Sequence, residues 1–579
     1  MKLFPALLLL LLSATCFSQR YSVKWGEEIK LKKGSLDFDV INADETGVYV
    51  VEGKLKMKTY FVVGATFGTS HKLIKFDRNY QDVYERDYKQ ELDGLSFNSI
   101  RFLRKEMYLF ASDYLKKEKK YIVYGVRLDR MTGLATGKMQ ELASFQLDSK
   151  KDDFEYSLVP NADSTAWMLI GDVSTDKNAA LSITLLDRQL TRKGTTAIGL
   201  SYEPKSFTLE DVLLTADNKF LLVGRQFEQV PTGKRNKTVR TFTKYVFSKY
   251  DANGRKEADL PTDVNAHYAV NGKALFLPGG ELCFAGFYSD DAKKKTVNGV
   301  FFHRLDLNGA TVRQSSYKAI APGMLDQAQE DENEMDDDQK KQRKERKKDK
   351  DEDEEEGISK DFVIRGVEYN PQNQSLLLIA ELSTFRMYTT TTYTSNFSPT
   401  GGFAGGRTTT TTTYQYVNSD LLVINAAGNG EIAWINTLPK KQVETIRSSS
   451  SAGPGISFSS DPTSLFARGG GMPFYSSFAS MMYQNKLIFL INDHQQNSHV
   501  EKLGDKVKAV SNFRSSAAYA VSLDLITGRF TRKVLLNNED DPVLMPRFGF
   551  IVGKEIYLPA MKMKALGKTE FKIGKISVL

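Results

Sequence analysis

The sequence predicts an all-β chain: an eight-bladed β-propeller of four-stranded antiparallel blades, with seven blades as the alternative count. Three observations predict it. A short apolar run closing on a small residue recurs along the 579 residues, and an alternating strand closing on aspartate follows nearly every such run. No stretch of helical periodicity intervenes. Meanders of this kind bury their faces only against one another, and a row of them bends into a ring.

The apolar runs define the second strand, B, of each blade. They end at Gly53, Ala111, Gly171, Gly224, Gly286, Ala380, Asn492 and Ala560. Turn-forming clusters such as "NADETG", "PNADSTA" and "NPQNQS" precede most of them and place a first strand, A, upstream. The third strand, C, ends in "LIKFD" (Asp77), "GVRLD" (Asp129), "ITLLD" (Asp187), "FSKYD" (Asp251), "FHRLD" (Asp306), "LLVIN" (Asn425) and "VSLD" (Asp524). An Asp or Asn oxygen accepts from backbone N–H groups two residues on, and a later glycine supplies the positive φ of a hairpin turn. Gly133, Gly254, Gly309, Gly428 and Gly528 fill that place, whereas the turns after Asp77 and Asp187 lack it. The recurrent aspartate is therefore a turn former leading into strand D. A calcium loop is excluded, because it needs several carboxylates in alternation before its glycine.

The two ends of the chain have distinct roles. "MKLFPALLLLLLSATCFSQR" carries Lys2 and then an apolar run too short to span a bilayer. It reads as an export signal, residues 1–18, cut after Ser18, with lipid attachment at Cys16 as the rival. Residues 19–579 then form one propeller domain in a periplasmic, cell-surface or secreted protein with no transmembrane segment. Cys283 alone remains after the cut, in the apolar "ELCFAGF", where a thiol packs as a small hydrophobe. The last copy, ending in "FKIGKISVL", has no fourth strand, and "YSVKWGEEIKLKKG" at the mature start is expected to supply it.

Spacing variation falls in the B–C and D–A connections, which leave a meander on the same side. Three inserts stand out. Residues 326–356 hold sixteen acidic and eight basic side chains and are expected to be disordered or a solvated helix. Residues 384–417 form two Thr/Tyr-rich runs about a Gly-rich tip, expected to be a protruding hairpin. Residues 446–480 are expected to be a Ser/Gly-rich loop. The whole chain is formally +8, so the part outside the acidic insert carries +16. Lys116, Lys117, Lys119, Lys120, Lys234, Arg235, Lys237, Arg240, Lys293, Lys294 and Lys295 lie in B–C connections. They read either as solvated loop tips or as a basic rim that attracts anions.

"YGVRLDRMTGLATG" (124–137) and "YAVSLDLITGRF" (519–530) resemble the repeat of pyrroloquinoline-quinone-type propellers, in which an aspartate and a Thr-Gly turn precede a tryptophan. Thr132-Gly133 and Thr527-Gly528 match, the tryptophan is missing from both, and Trp434 holds its place in another copy. The resemblance implies a propeller; some members of that superfamily are quinone-dependent dehydrogenases and others are non-catalytic scaffolds of outer-membrane assembly. The dehydrogenases' adjacent cysteine pair is absent here, and no cofactor is expected. The sequence has no G-x-S-x-G, H-E-x-x-H or C-x-x-C, and "NDHQQNSH" spaces His494 and His499 unlike metal ligands. The expected function is a non-enzymatic binding or scaffold protein that engages an envelope protein or acidic polymer, not nucleic acid, through its loop-rich face. The alternative is a propeller enzyme, a glycan or peptide hydrolase or lyase, acting in the central channel.

Overall fold

The computed structural model describes residues 21–29, 35–60, 64–147, 156–161, 164–173, 180–200, 206–215, 217, 219–231, 238–262, 267–278, 281–290, 297–306, 311–321, 362–397, 403–452, 473–563 and 569–579. Residues 1–18, read above as an export signal, and the insert at 326–356 lie outside them. Strands dominate, in eight antiparallel sheets of four or five strands, numbered here in chain order over residues 35–87, 96–146, 156–199, 207–262, 268–319, 362–452, 478–537 and 543–578. Among the described residues no helix is long and apolar enough to cross a membrane.

Sheet 2 shows the unit. Ser96–Leu103, Glu106–Leu115, Lys120–Leu128 and Gln140–Gln146 follow one another as A, B, C and D, each hydrogen-bonded to the next. Sheet 7 repeats it with Phe478–Tyr483, Lys486–His494, Ser516–Asp524 and Phe530–Asn537. B and C strands are nearly continuous apolar runs because both their faces are covered. Eight apolar clusters make up the main core, each shared by two sheets adjacent in order. One joins the last sheet to the first, with Tyr557, Phe571 and Ile573 among Val40, Val48, Val50 and Ile74.

The last sheet takes its outer strand from the beginning of the chain. Tyr21–Trp25 pairs antiparallel with Thr569–Val578, from Tyr21↔Val578 to Trp25↔Gly574. This is the pairing the sequence predicted for the missing fourth strand. The Gly26 N–H then donates to the Ile573 carbonyl at 2.9 Å, and Gly26 lies against the Tyr80 ring of sheet 1.

The C–D turns are built as their aspartates require. Asp129 Oδ1 accepts from Met131 N (3.0 Å), Thr132 N (2.8 Å) and Thr132 Oγ1 (2.9 Å). Asp524 repeats this with Ile526 N (3.1 Å), Thr527 N (2.8 Å) and Thr527 Oγ1 (3.0 Å). Asp77, Asp187 and Asp251 cap a shorter turn, bonding the N–H groups two and four residues on. Where glycine is lacking, Tyr80 (φ 63°) and Leu190 (φ 62°) take the left-handed position. The turn after Asp306 lies outside the described residues.

Sheet 6 corrects the expectation for Asn425 and Gly428. Its turn is closed by Ala427 N to Glu431 O and Gly430 N to Ala427 O, and Gly430, not Gly428, has φ 80°. Strand C runs to Ala426, so Asn425 stands two residues too early to cap the turn. Its amide instead donates to Leu525 O of the next sheet.

Glycine is also required by what lies beside the turn. A Cβ on Gly528 would stand 2.1 Å from Asn436 Nδ2, and one on Gly254 2.0 Å from Thr196 Cγ2. In both cases the neighbour belongs to strand D of the preceding sheet. That D strand also donates to the turn: Arg86 Nε to Thr132 O (2.8 Å), Thr196 Oγ1 to Ala252 O (3.2 Å) and Asn436 Nδ2 to Gly528 O (2.9 Å). Gln314 Nε2 donates likewise to Asn429 O. Each of these four turns is thus pinned by the sheet before it.

Candidate functional site

The predicted basic rim is spread over several sheets. Lys116 and Lys117 are exposed in the turn between Leu115 and Lys120, Lys119 has φ 52°, and Lys120 opens strand C of sheet 2. Leu147 N donates to Lys119 O at 2.9 Å, fixing this turn from below. Arg240 pairs with Gln229 in the B–C hairpin of sheet 4. Lys234, Arg235, Lys237, Lys293, Lys294 and Lys295 lie outside the described residues. The described part of this set is the one lysine turn at 116–120 together with Arg240, and a further gathering of charge stands elsewhere.

It lies where sheets 6 and 7 meet on the loop-rich side. Strands Ser375–Phe397 and Phe403–Ala426 pair far beyond the sheet as the Thr-rich hairpin, from Ser383↔Asn418 to Phe397↔Phe403. Gln442–Ala452 adds a third strand, from Asn418↔Gln442 to Thr408↔Ala452. The segment read as a Ser/Gly loop from 446 therefore begins as a strand, because the Thr strand offers it a free edge. The expected loop also overlaps strand A of sheet 7, which opens at Phe478.

A buried ionic lattice fastens the base of this ribbon. Arg365 is the extra residue of a β-bulge in strand A of sheet 6, and a bulge re-aims its side chain. Its guanidinium donates to Glu381 Oε2 through Nε (2.8 Å) and Nη2 (2.5 Å). Lys440 Nζ reaches Glu381 Oε1 (2.7 Å), Gln442 Oε1 (2.9 Å) and Asn418 O (3.1 Å). Both Lys440 and Glu381 side chains are fully buried. Burial pushes the Glu381 carboxyl up, but Lys440 and Arg365 outweigh it and hold it below its ordinary value. Glu444 accepts three successive N–H groups, Phe474 (2.7 Å), Tyr475 (2.9 Å) and Ser476 (2.9 Å), while burial raises its pKa. A second buried pair, Arg532 Nη1 to Asp493 Oδ1's partner oxygen Oδ2 (2.5 Å), ties sheet 7 to Pro439 O through Arg532 Nη2 (2.8 Å).

Lys441, next to the buried Lys440, opens outward. With Gln496, Asn497, His499, Lys506, Val507, Lys508 and Ala509 it lines a cleft of about 460 Å³. All but Lys441 come from the B–C connection of sheet 7, so the cleft belongs to the loop-rich side. Asn497 shapes it: Oδ1 accepts from Lys508 N (2.9 Å), and Nδ2 donates to Asp493 Oδ1 (2.9 Å) and Lys508 O (2.8 Å). Lys508 Nζ reaches Gln496 Oε1 at 3.3 Å. Among the described residues no carboxylate lines the cleft. Three ammonium groups and an imidazole around one concavity raise the local concentration of anions.

His494 is explained by the local chain. Its Nδ1 accepts from Gln496 N (3.1 Å) and caps the short 3-10 turn Gln495–Asn497. Burial, with Lys508 nearby, lowers its pKa. His499 alone of the pair reaches the cleft. Sequence reading missed Lys441, Lys506 and Lys508 because "EKLGDKVK" mixes charge signs and Lys441 stands beside a buried lysine. Folding separates the signs, for Asp505 Oδ2 is held by the Glu501 and Lys502 N–H groups.

No family model matches the chain. No curated protein matches it either. Solved structures align with it at low identity. The polysaccharide lyase Uly1 aligns over 96% of this chain and 100% of its own, at 10% identity and TM-score 0.35. The β-propeller domain of the Trilobed protease from Pyrococcus furiosus covers 88% and 98%, at 8% identity and TM-score 0.31. Synechocystis apocarotenoid oxygenase covers 90% and 91%, at 8% identity and TM-score 0.28. The chain described here is an eight-sheet, all-β propeller.

Proposed function

We propose that this is an exported, non-enzymatic binding protein whose loop-rich face captures an acidic polymer of the cell envelope. The supporting observation is the cleft of Lys441, His499, Lys506 and Lys508, with no carboxylate in its lining. It stands on the same side as the described basic turn of Lys116, Lys117, Lys119 and Lys120, since both belong to B–C connections, so a long anionic chain held in the cleft meets further positive charge there. The apolar start after Lys2 supports export, with cleavage after Ser18 or lipid attachment at Cys16. The finer likeness of the Asp129 and Asp524 turns to pyrroloquinoline-quinone-type repeats belongs with this reading through that superfamily's non-catalytic scaffold members.

The test is a binding titration with two defined polyanions, alginate and poly-L-glutamate, at low and moderate salt. The parent protein is expected to bind at least one, more weakly as salt rises. The triple variant K441E/K506E/K508E is expected to lose at least about tenfold in affinity with its melting temperature unchanged, as exposed substitutions cost little stability. Equal binding by parent and variant would remove the cleft. Turnover of either polymer would replace the binding reading with the enzymatic one.

A further inference from the structure

We propose that the end of the propeller opposite the loop-rich face rests on a lipid surface with anionic headgroups. That end carries the A–B and C–D turns, which leave each meander on one side, as the B–C and D–A connections leave it on the other. Exposed apolar side chains gather on one arc of it. Ile526 stands in the C–D turn of sheet 7, and Ile551 in strand Phe550–Val552 beside the A–B turn of sheet 8. Val83 lies at the start of strand Asp82–Asp87 in sheet 1, and Met131 and Leu134 in the C–D turn of sheet 2. Ile526 is 70% exposed and Met131 63%. Sheets 7, 8, 1 and 2 are packed in succession through shared cores. At the same end of sheets 3 to 6, Val312 is the one exposed large apolar side chain among the described residues.

Exposed cations accompany the arc. Arg529, Lys554, Arg78 and Lys138 stand in these turns, one to each sheet, with no ion pair among the described residues. Sheets 3, 4 and 5 instead hold cations at this end in ion pairs: Lys193 with Asp187 (2.8 Å), Lys219 with Glu257 (2.9 Å) and Arg313 with Asp306 (2.6 Å). Within the arc, Asp77, Asp129 and Asp524 accept their own turns' N–H groups, and Glu45 is met by Lys105 at 3.4 Å.

This pattern selects lipid over a protein partner. The centre of a protein interface is packed and poor in lysine. Here the apolar chains stand on separate turn tips with cations among them. Each tip can enter a headgroup layer singly, while a long basic side chain keeps its charge at the phosphates. The chain also arrives at this end. Tyr21 lies opposite Val578, the last residue of strand Thr569–Val578, so strand Tyr21–Trp25 is entered from the side of the A–B and C–D turns. Ahead of it in the sequence come the apolar run after Lys2 and then Cys16. A lipid on Cys16 would be five residues from Tyr21, at most about 18 Å of extended chain. No residue of the basic cleft takes part, and the loop-rich face then points away from the membrane.

Flotation with phospholipid vesicles tests this. The chain from residue 19 is used, because it contains every described residue and lacks the apolar run that would itself insert. Vesicles of mixed phosphatidylcholine and phosphatidylglycerol are expected to capture it. Pure phosphatidylcholine should bind at least about tenfold more weakly, and added salt should weaken capture by the mixed vesicles. M131Q/I526Q removes two apolar tips without touching charge, and K138E/R529E/K554E reverses three cations. Each is expected to lose at least about tenfold in vesicle affinity with the melting temperature unchanged. K441E/K506E/K508E, on the opposite face, is expected to bind vesicles as the parent does, which separates this surface from the polymer cleft. No capture by the anionic vesicles, unchanged capture of M131Q/I526Q, or capture lost in the cleft variant would overturn the proposal. So would self-association of the parent that M131Q/I526Q abolishes without vesicles, for the arc would then serve a second copy of the chain.

Discussion

The side-chain amide of Asn436, on strand D of sheet 6, donates to the main-chain carbonyl of Gly528 in the C–D turn of sheet 7, at 2.9 Å. Gly528 has φ 70°, and a Cβ placed on it would lie 2.1 Å from Asn436 Nδ2. One residue thus supplies the turn's conformation and the room for the neighbouring sheet. Gly528→Ala is expected to cost about 1–2 kcal/mol from the left-handed φ, with an additional steric share. Asn436→Ala removes the steric share, so the double variant should be more stable than the sum of the single losses predicts. Chemical denaturation of the four proteins measures the coupling, and strict additivity would show that the two residues do not meet.

Lys440 holds a place in which its charge is worth more than its bulk. Replacing it with Met leaves Glu381 buried with Arg365 and Ser477 as its remaining donors. Removing one member of a buried pair costs about 3–5 kcal/mol. The double variant K440M/E381Q is expected to recover part of that loss, because no unpaired anion remains. Denaturation midpoints of parent, single and double variants check this; a single variant as stable as the parent would contradict the lattice.

Asp420 gives a pH dependence of defined sign. It is 3% exposed, its Oδ1 accepts from Lys440 N, and its Oδ2 has no partner among the described residues. Burial pushes its pKa up to about 6, against the Lys440 contacts. An unfolded aspartate titrates near 4, so the folded chain binds this proton more tightly and loses stability as pH rises from about 4 to about 6. The loss is of the order of 2–3 kcal/mol. Asp420→Asn keeps the acceptor for Lys440 N and removes the charge. Its melting temperature should match the parent's near pH 4 and exceed it above pH 6; a constant difference across that range would refute the assignment.

Much of the fold was legible because its signals are local. Asp129 and Asp524 bond residues two and three places ahead, and a turn of that kind is written in consecutive letters. The missing fourth strand was visible too, since its two halves sit at the chain ends. Contacts between sheets were not legible. Arg86, Thr196, Gln314 and Asn436 do the same work with different side chains, because any donor of suitable reach satisfies a turn carbonyl. Counting from Asn425 points to Gly428, whereas the turn is closed from Ala427 and uses Gly430.

The site shows the same division. "LPKKQ" places Lys440 and Lys441 side by side, and nothing in that stretch says that one is buried. The deciding partner, Glu381, is 59 residues away. Serines 448–451 have a loop-like composition, and pairing with Thr409–Thr412 makes them a strand. Dense basic runs are conspicuous in a sequence, whereas the cleft is assembled from scattered lysines.

The central structural claim is that the last sheet is completed by the first strand, Tyr21–Trp25, and packs on the first sheet through Tyr557, Phe571 and Val40. Thermal unfolding of the chain starting at residue 33, beside the chain starting at residue 19, tests it most directly. The account predicts a large fall in melting temperature for the shorter chain, with early exposure of Thr569–Val578 to amide hydrogen exchange. An unchanged melting transition and unchanged protection of that strand would contradict it.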